Sequence, residues 1–311
     1  MKQPVFLQLA QLAEQPEMVE RSVAYVVRYM RKFLKENEKV LSCFPLEDTA
    51  SCRILQRSVE ACGCEMVWIG EDRRWITILK LAFTSKCNCI IGPPLMLLGL
   101  SKVAKHMGTP LFARNILLSG YSSPQWIVEA VQVGLDCKAW GCYDPGIGPV
   151  IAGFTCGCKD GLHIRDDVYG VEIVDKEDRP LPAGEIGRVA LYPLQDPSLR
   201  FVTDNLGALE TAPCSCGESS PRLVKLDMEK YDDESLSQMG EKLLYWSSVL
   251  DCRLERTECG LELEVVIFQG EKLPKFPSCA KLIIRPWNPE TDEPFDHGGQ
   301  MKKKLISNFS D

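Results

Sequence analysis

Residues 87–120 read CNCIIGPPLMLLGLSKVAKHMGTPLFARNILLSG. CNCIIG and NILLSG are short apolar runs that read as strands, and the segment between them carries apolar residues at helical spacing. Pro93 and Pro94 suit the first turn of that helix, where a backbone N–H would lack a partner in any case. A strand, a helix and a second strand in this order predict two parallel strands with the helix packed across them.

The same alternation extends outward in both directions. MVERSVAYVVRYMRKFL (18–34) has a helical apolar stripe, and VLSCF (40–44) follows as a short buried strand. Asp48 and Thr49 can cap a helix running to about Ala61, ahead of the strand EMVWIG (65–70) and the helix WITILKLAFT (75–84). After NILLSG, Ser122, Ser123 and Pro124 start the helix QWIVEAVQVG (125–134), and CKAWGCYD (137–144) closes the series. Residues 1–144 are therefore expected to form the α/β core of a large domain, a doubly wound, mostly parallel sheet. Beyond Pro145 the pattern changes to short β-rich runs such as VYGVEIVD and GRVALYPL, separated by turn chemistry like KEDRPLPAGEIG. Residues 145–225 thus read as an antiparallel subdomain and 226–311 as a small α+β domain, with one helix near 234–249 and three strand-like runs.

Composition excludes several classes. With 45% hydrophobic and 25% charged residues in 311, the chain has the balance of a globular protein. A formal net charge of −7 gives no electrostatic footprint for nucleic acid, and the basic run Lys302-Lys303-Lys304 reads as a solvated tail. No apolar run has membrane-spanning length, and Gln and Glu interrupt the opening MKQPVFLQLAQLAEQPEM where a signal peptide would stay apolar. A cytoplasmic location without membrane contact is the expectation.

Fifteen cysteines without a secretory signal read as thiols or metal ligands rather than a disulfide framework. Cys62/Cys64 and Cys87/Cys89 open apolar runs and read as packing. Cys156/Cys158 and Cys214/Cys216 lie in turns rich in Gly and Ser, which offer poor apolar burial for four thiols. One structural zinc on these four sulfurs would tie the subdomain together, with Gly157 and Gly217 supplying the turn conformations. By spacing alone, four unligated thiols remain the alternative. Cys142 and His163 lie nearby in sequence as spare ligands, with ordinary packing as the competing reading of each.

CKDGLHIRDDVYGVEIVDKEDRPLPAGEIGRVALYPLQ (158–195) and PSLRFVTDNLGALETAPCSCGESSPRL (197–223) together resemble the phenylacetate-CoA ligase branch of the adenylate-forming enzymes. The matching features are Lys-Asp-Gly-Leu-His-Ile, Glu-Ile-Val-Asp, Pro-Leu-Pro-x-Gly-Glu-x-Gly and a Cys-x-Cys-Gly ending before Pro-Arg, with weaker similarity from about residue 20 to the end. The resemblance implies zinc at the Cys-rich segments, as in some members. It also implies activation of an aromatic carboxylate with ATP, followed by acyl transfer to coenzyme A.

Position by position, the implied catalytic apparatus is altered. The family's Gly-, Ser- and Thr-rich phosphate loop has no counterpart in the opening residues, which contain neither Gly nor Thr. Ser119-Gly120-Tyr121 stands where the family carries Gly-Gly-Glu beside adenine, and Trp140-Gly141-Cys142-Tyr143-Asp144 where it carries aromatic-Gly-x-Ser/Thr-Glu. The ribose-binding carboxylate corresponds to Asn205, with Asp204 one residue earlier. Gln300 takes the place of the adenylation lysine, so Lys302 could serve only after a shift in register, and Glu229 to Asp233 replace the hinge motif.

Tyr143, Asp144 and Lys302 are thus vestigial catalytic candidates. Ser119, Gly120, Tyr121, Trp140, Gly141, Asp204 and Asn205 are the nucleotide-site candidates. ATP or AMP and coenzyme A stand in doubt as cofactors. The expected function is a binding or interaction protein that keeps the fold and a structural zinc, having lost adenylation. Its partner would be a small aromatic or acyl carboxylate, another protein or a second copy. The competing reading is an active AMP-forming acyl- or aryl-CoA ligase with an altered site or a phosphate loop supplied by a partner.

Overall fold

The computed structural model describes residues 5–45, 50–119, 125–145, 150–158, 160–228, 242–276, 281–295 and 306–307. The amphipathic stretches become helices α1 (Val5–Ala13), α2 (Pro16–Met30), α3 (Ala50–Ala61), α4 (Trp75–Thr84), α5 (Pro94–Met107) and α6 (Gln125–Leu135). They alternate with the parallel strands β1 (Lys39–Pro45), β2 (Glu65–Ile69), β3 (Cys89–Gly92), β4 (Asn115–Leu118) and β5 (Lys138–Tyr143), ordered β2-β1-β3-β4-β5. Every residue of β3 is buried, as strands covered on both faces require. One face of the sheet packs Met30, Ile54 and Ile91, while Trp75, Ile78, Leu97 and Val131 fill the other, so the sheet is doubly wound.

Close packing of the second face depends on one glycine. Trp75 is fully buried, and a Cβ on Gly99 in α5 would lie 2.5 Å from its indole nitrogen. Any larger residue there would force the ring out of its seat.

The antiparallel region does not form a detached layer. β6 (Gly153–Thr155) pairs with β5, then β7 (Leu162–Ile164), β11 (Arg222–Met228), β10 (Phe201–Glu210), β9 (Gly187–Pro193) and β8 (Tyr169–Val174) continue the same eleven-stranded sheet. The expected boundary at 144/145 falls between β5 and β6, which pair with each other in one sheet, and β11 runs across the boundary placed at 225/226. A second sheet, ordered β14-β13-β12-β15, is built from β12 (Val249–Thr257), β13 (Gly260–Ile267), β14 (Lys281–Pro286) and β15 (Ile306–Ser307).

That smaller sheet shares a core with the large domain, since Leu244, Val249, Leu263 and Phe268 join the cluster around α5. Lys102 of α5 fastens the contact by donating to the carbonyl oxygens of Leu244, Trp246 and Val249 at 2.6, 3.2 and 2.6 Å. The first half of the expected helix near 234–249 lies outside the described residues; in the second half a helical turn spans 242–245, and β12 begins at Val249. The capping residues Asp48 and Thr49 also lie outside them.

Candidate metal centre and the carboxyl end of the sheet

Strand geometry brings His163 to the cysteines. Phe154 of β6 stands opposite His163 of β7, and Cys156 lies two residues beyond Phe154, on the same face of the pair. Cys214 and Cys216 come from the turn before β11, where Gly217 adopts a φ of 86° and its N–H donates to the Cys214 carbonyl at 3.0 Å. The ligand atoms of Cys156, His163, Cys214 and Cys216 all lie within 4.8 Å of one another. Cys156 Sγ is 3.7 Å from Cys214 Sγ, and Cys216 Sγ is 3.3 Å from His163 Nε2. A tetrahedral zinc with ordinary bond lengths spaces sulfurs about 3.8 Å apart and sulfur from nitrogen about 3.5 Å, so these residues fit the ion.

The surroundings suit ligation as well. His163 is fully buried, and its Nδ1 lies 3.0 Å from Ser220 Oγ. A proton on Nδ1, donated to that oxygen, leaves the Nε2 lone pair for a metal. Burial holds the imidazole pKa down, which favours the neutral form that ligates. Burial pushes the Cys156 thiol up to about 11, whereas the backbone N–H of Cys216 draws Cys214 below the ordinary thiol range.

Cys158 does not belong to this cluster. It is exposed, because the chain turns at Gly157–Cys158 on leaving β6 and carries that side chain outward. His163 stands in its place as the fourth ligand atom of the cluster. The sequence did carry the signal: in Leu162-His163-Ile164 the histidine must face away from its two apolar neighbours in a strand. Gly161, between Cys158 and His163, adopts a left-handed conformation with a φ of 87°, and a Cβ there would come within 2.7 Å of Val224. The other cysteine pairs, Cys62/Cys64 and Cys87/Cys89, are all buried.

At the carboxyl end of β5, the catalytic candidate Tyr143 meets the nucleotide-site candidate Asn205. The phenol of Tyr143 donates to Asn205 Oδ1 at 3.0 Å, with both residues buried. Burial pushes the Tyr143 pKa well up, so the phenol stays protonated and serves as a donor. Trp140 stacks on Phe33 at 4.7 Å between centroids, and its indole N–H donates to Asn115 Oδ1 at 3.1 Å. Ser119 at the end of β4 donates its backbone N–H to the Gly92 carbonyl, and Gly141 N–H donates to Thr155 Oγ1. Asp144 directly follows Tyr143 and helps keep the buried Cys142 thiol protonated, after burial itself. Gly120, Tyr121, Lys302 and the Asp204 side chain lie outside the described residues.

Two cavities flank Trp140. One, of about 580 Å³, lies between α6, β5, the turn after β6 and β11; the other, of about 570 Å³, lies near Lys35, Arg114 and Lys138 at the amino ends of the strands. Among the described residues, no helix is long and apolar enough to cross a membrane.

No family model matches the chain, and no curated protein matches it. Solved structures do. The chain is similar to 2-hydroxyisobutyryl-CoA ligase in the postadenylation state in complex with 2-HIB-AMP, with a TM-score of 0.65 and 16% identity, covering 81% of this chain and 58% of that one. It is also similar to a benzoate CoA ligase from Burkholderia xenovorans LB400, with a TM-score of 0.55 and 10% identity over 92% of this chain and 64% of that one. A third similar structure is the anthranilate CoA ligase AuaEII in complex with anthranoyl-AMP, at 0.52 and 12% over 85% and 60%. The chain thus spans less than two thirds of the length of each. At these identities the likeness is one of architecture, and the chain has the fold of the adenylate-forming CoA ligases.

Proposed function

We propose that this chain is a phenylacetate-CoA ligase-like member of the adenylate-forming superfamily that has lost ATP-dependent adenylation and acts as a binding or interaction protein. The buried Tyr143–Asn205 hydrogen bond carries this reading. The resemblance assigns these positions to the hydroxyl of the family's Ser/Thr-Glu motif and to the ribose carboxylate, and here a phenol and an amide satisfy each other instead. A neutral amide in place of the carboxylate also removes the acceptor charge that two ribose hydroxyls would need.

In the same reading, Cys156, His163, Cys214 and Cys216 hold one structural zinc, and the ion fastens the turn after β6 to the turn before β11. Four protein ligands complete a tetrahedron and leave no open position for substrate, so the metal would supply stability rather than chemistry.

The test is ATP–pyrophosphate exchange with a panel of aromatic and acyl carboxylates, together with calorimetric titration of Mg-ATP. Absence of both exchange and ATP binding is expected. Exchange by the isolated chain would overturn the reading. It would favour the competing one, an active ligase, which draws support from the fold neighbours that hold acyl-AMP.

A further inference from the structure

The two Cys-x-Cys turns are built alike but end differently. In each, the backbone N–H of the second cysteine donates to the sulfur of the first, Cys158 to Cys156 and Cys216 to Cys214. Cys216 then delivers its own sulfur to the cluster, whereas Cys158 stays outside it and exposed. The N–H bond to Cys156 Sγ keeps the Cys158 backbone close to that sulfur, so a thiol free of the cluster is held beside one that belongs to it. Among the described residues, Cys259 is the only other exposed cysteine.

Both turns are anchored independently of any ion. Arg222 is buried; its Nη1 donates to the Asp160 carbonyl at 2.7 Å and pairs with the Asp160 carboxylate, while Nη2 donates to the Ala212 carbonyl at 3.1 Å. Asp160 lies just beyond Cys158 and Ala212 just before Cys214, so this one arginine clasps the two turns. Pairing of β7 with β11 holds His163 in the same place. The ligand residues therefore stay gathered when the ion leaves. Between the two sulfurs of the first turn, a Cβ on Gly157 would meet nothing within 4 Å, which leaves that turn room to adjust. Cα atoms two residues apart are separated by about 5 to 7 Å, which overlaps the span of a disulfide.

From these features we infer that Cys158 is the sensing thiol of a peroxide-responsive switch, in which a Cys156–Cys158 disulfide removes one ligand from the metal centre and releases the ion. The inference rests on the zinc reading above. Cys158 Sγ attacks one oxygen of a hydroperoxide; the S–O bond forms, the O–O bond breaks, and the other oxygen leaves as water or an alcohol with the thiol proton. Cys156 Sγ then attacks the sulfenic sulfur of Cys158. The S–S bond forms, the S–O bond breaks, and the hydroxide leaves as water after taking a proton from solvent. The two sulfurs lose two electrons, and the peroxide gains them. His163, Cys214 and Cys216 remain, one ligand short of the set that structural zinc takes. A dithiol reverses the change by exchange with the disulfide.

The experiment exposes the zinc-loaded chain to hydrogen peroxide and follows two readouts: free zinc with a colorimetric chelator, and the Cys156–Cys158 disulfide by mass spectrometry of the tryptic peptide 139–159. Zinc release should accompany the disulfide, and dithiothreitol should restore binding. Cys158→Ser should hold zinc normally under reducing conditions yet release it at least about tenfold more slowly with peroxide, because the exposed nucleophile is gone. Cys259→Ser, which removes the other exposed thiol, should match the parent within about twofold. Equally fast release from Cys158→Ser, an oxyacid on Cys158 without a disulfide, or a Cys156–Cys214 disulfide in its place would each overturn the inference. A chain that carries no zinc before peroxide is added defeats the metal reading alone; the mapped disulfide then still upholds or overturns the coupling of Cys158 to Cys156.

Discussion

Two parts of one sheet hold their polar groups in opposite ways. Around β6, β7 and the turn before β11, three thiols and an imidazole converge with ligand atoms within 4.8 Å of one another, although thiols are weak mutual hydrogen-bonding partners. At the end of β5 and the middle of β10, Tyr143 and Asn205 meet directly at 3.0 Å. The first arrangement suits a cation, and the second pairs two neutral groups. Under the proposed reading, metal binding and nucleotide chemistry are separable, and a bound ion would say nothing about catalysis.

The comparison breaks most sharply at the cysteines. Cys214→Ser or His163→Ala should abolish stoichiometric zinc and destabilise the protein by up to about 10 kcal/mol, whereas Cys158→Ser should leave both metal content and Tm unchanged. Elemental analysis with thermal melts decides this, and a zinc loss in Cys158→Ser equal to that in His163→Ala would restore the four-cysteine set. Next in size, the double variant Tyr143→Thr/Asn205→Asp should lower stability by about 3 kcal/mol, because it empties a buried aromatic volume and buries a carboxylate. If the phenol and amide are what close the site, calorimetry should detect Mg-ATP in this variant and not in the parent.

Tyr143→Phe asks only about the hydrogen bond. It should cost about 1 kcal/mol in denaturant unfolding, with zinc content unaffected. The smallest effect is expected at Glu218, beside the metal turn, which accepts from Arg28 at 2.5 Å and Lys32 at 2.9 Å. Burial raises its pKa, but the hydrogen bond and charge of Lys32, with the charge of Arg28, outweigh that and hold the carboxyl below its usual range. Because the Arg28 side chain is largely exposed, Glu218→Gln should cost no more than about 1 kcal/mol, with metal retained. A loss of zinc in that variant would mean that α2 and the metal turn form a single cooperative unit.

Much of the fold was legible because its signals are local. The proline pair ahead of α5, the helical stripes and the short apolar runs each lie within a few residues, and they produced the strand and helix sequence of the parallel sheet. Other features escaped the sequence reading for identifiable reasons. α1 has short apolar runs broken by Gln, which argued against a signal peptide without announcing a helix. β11 runs across the boundary expected at 225/226, and its bulge interrupts the alternation that marks a strand.

The candidate site divides along the same line. Sequence by itself determined which cysteine pairs flank Gly- and Ser-rich turns and the apolar periodicity that folds the chain, since composition and short spacing encode these. Only the tertiary structure decided that His163 rather than Cys158 completes the cluster, that Tyr143 reaches Asn205, and that Arg222 clasps both cysteine turns. Each of these depends on which strands pair and in what register. Register is set by the burial of whole faces, and no pair of residues read along the chain contains it.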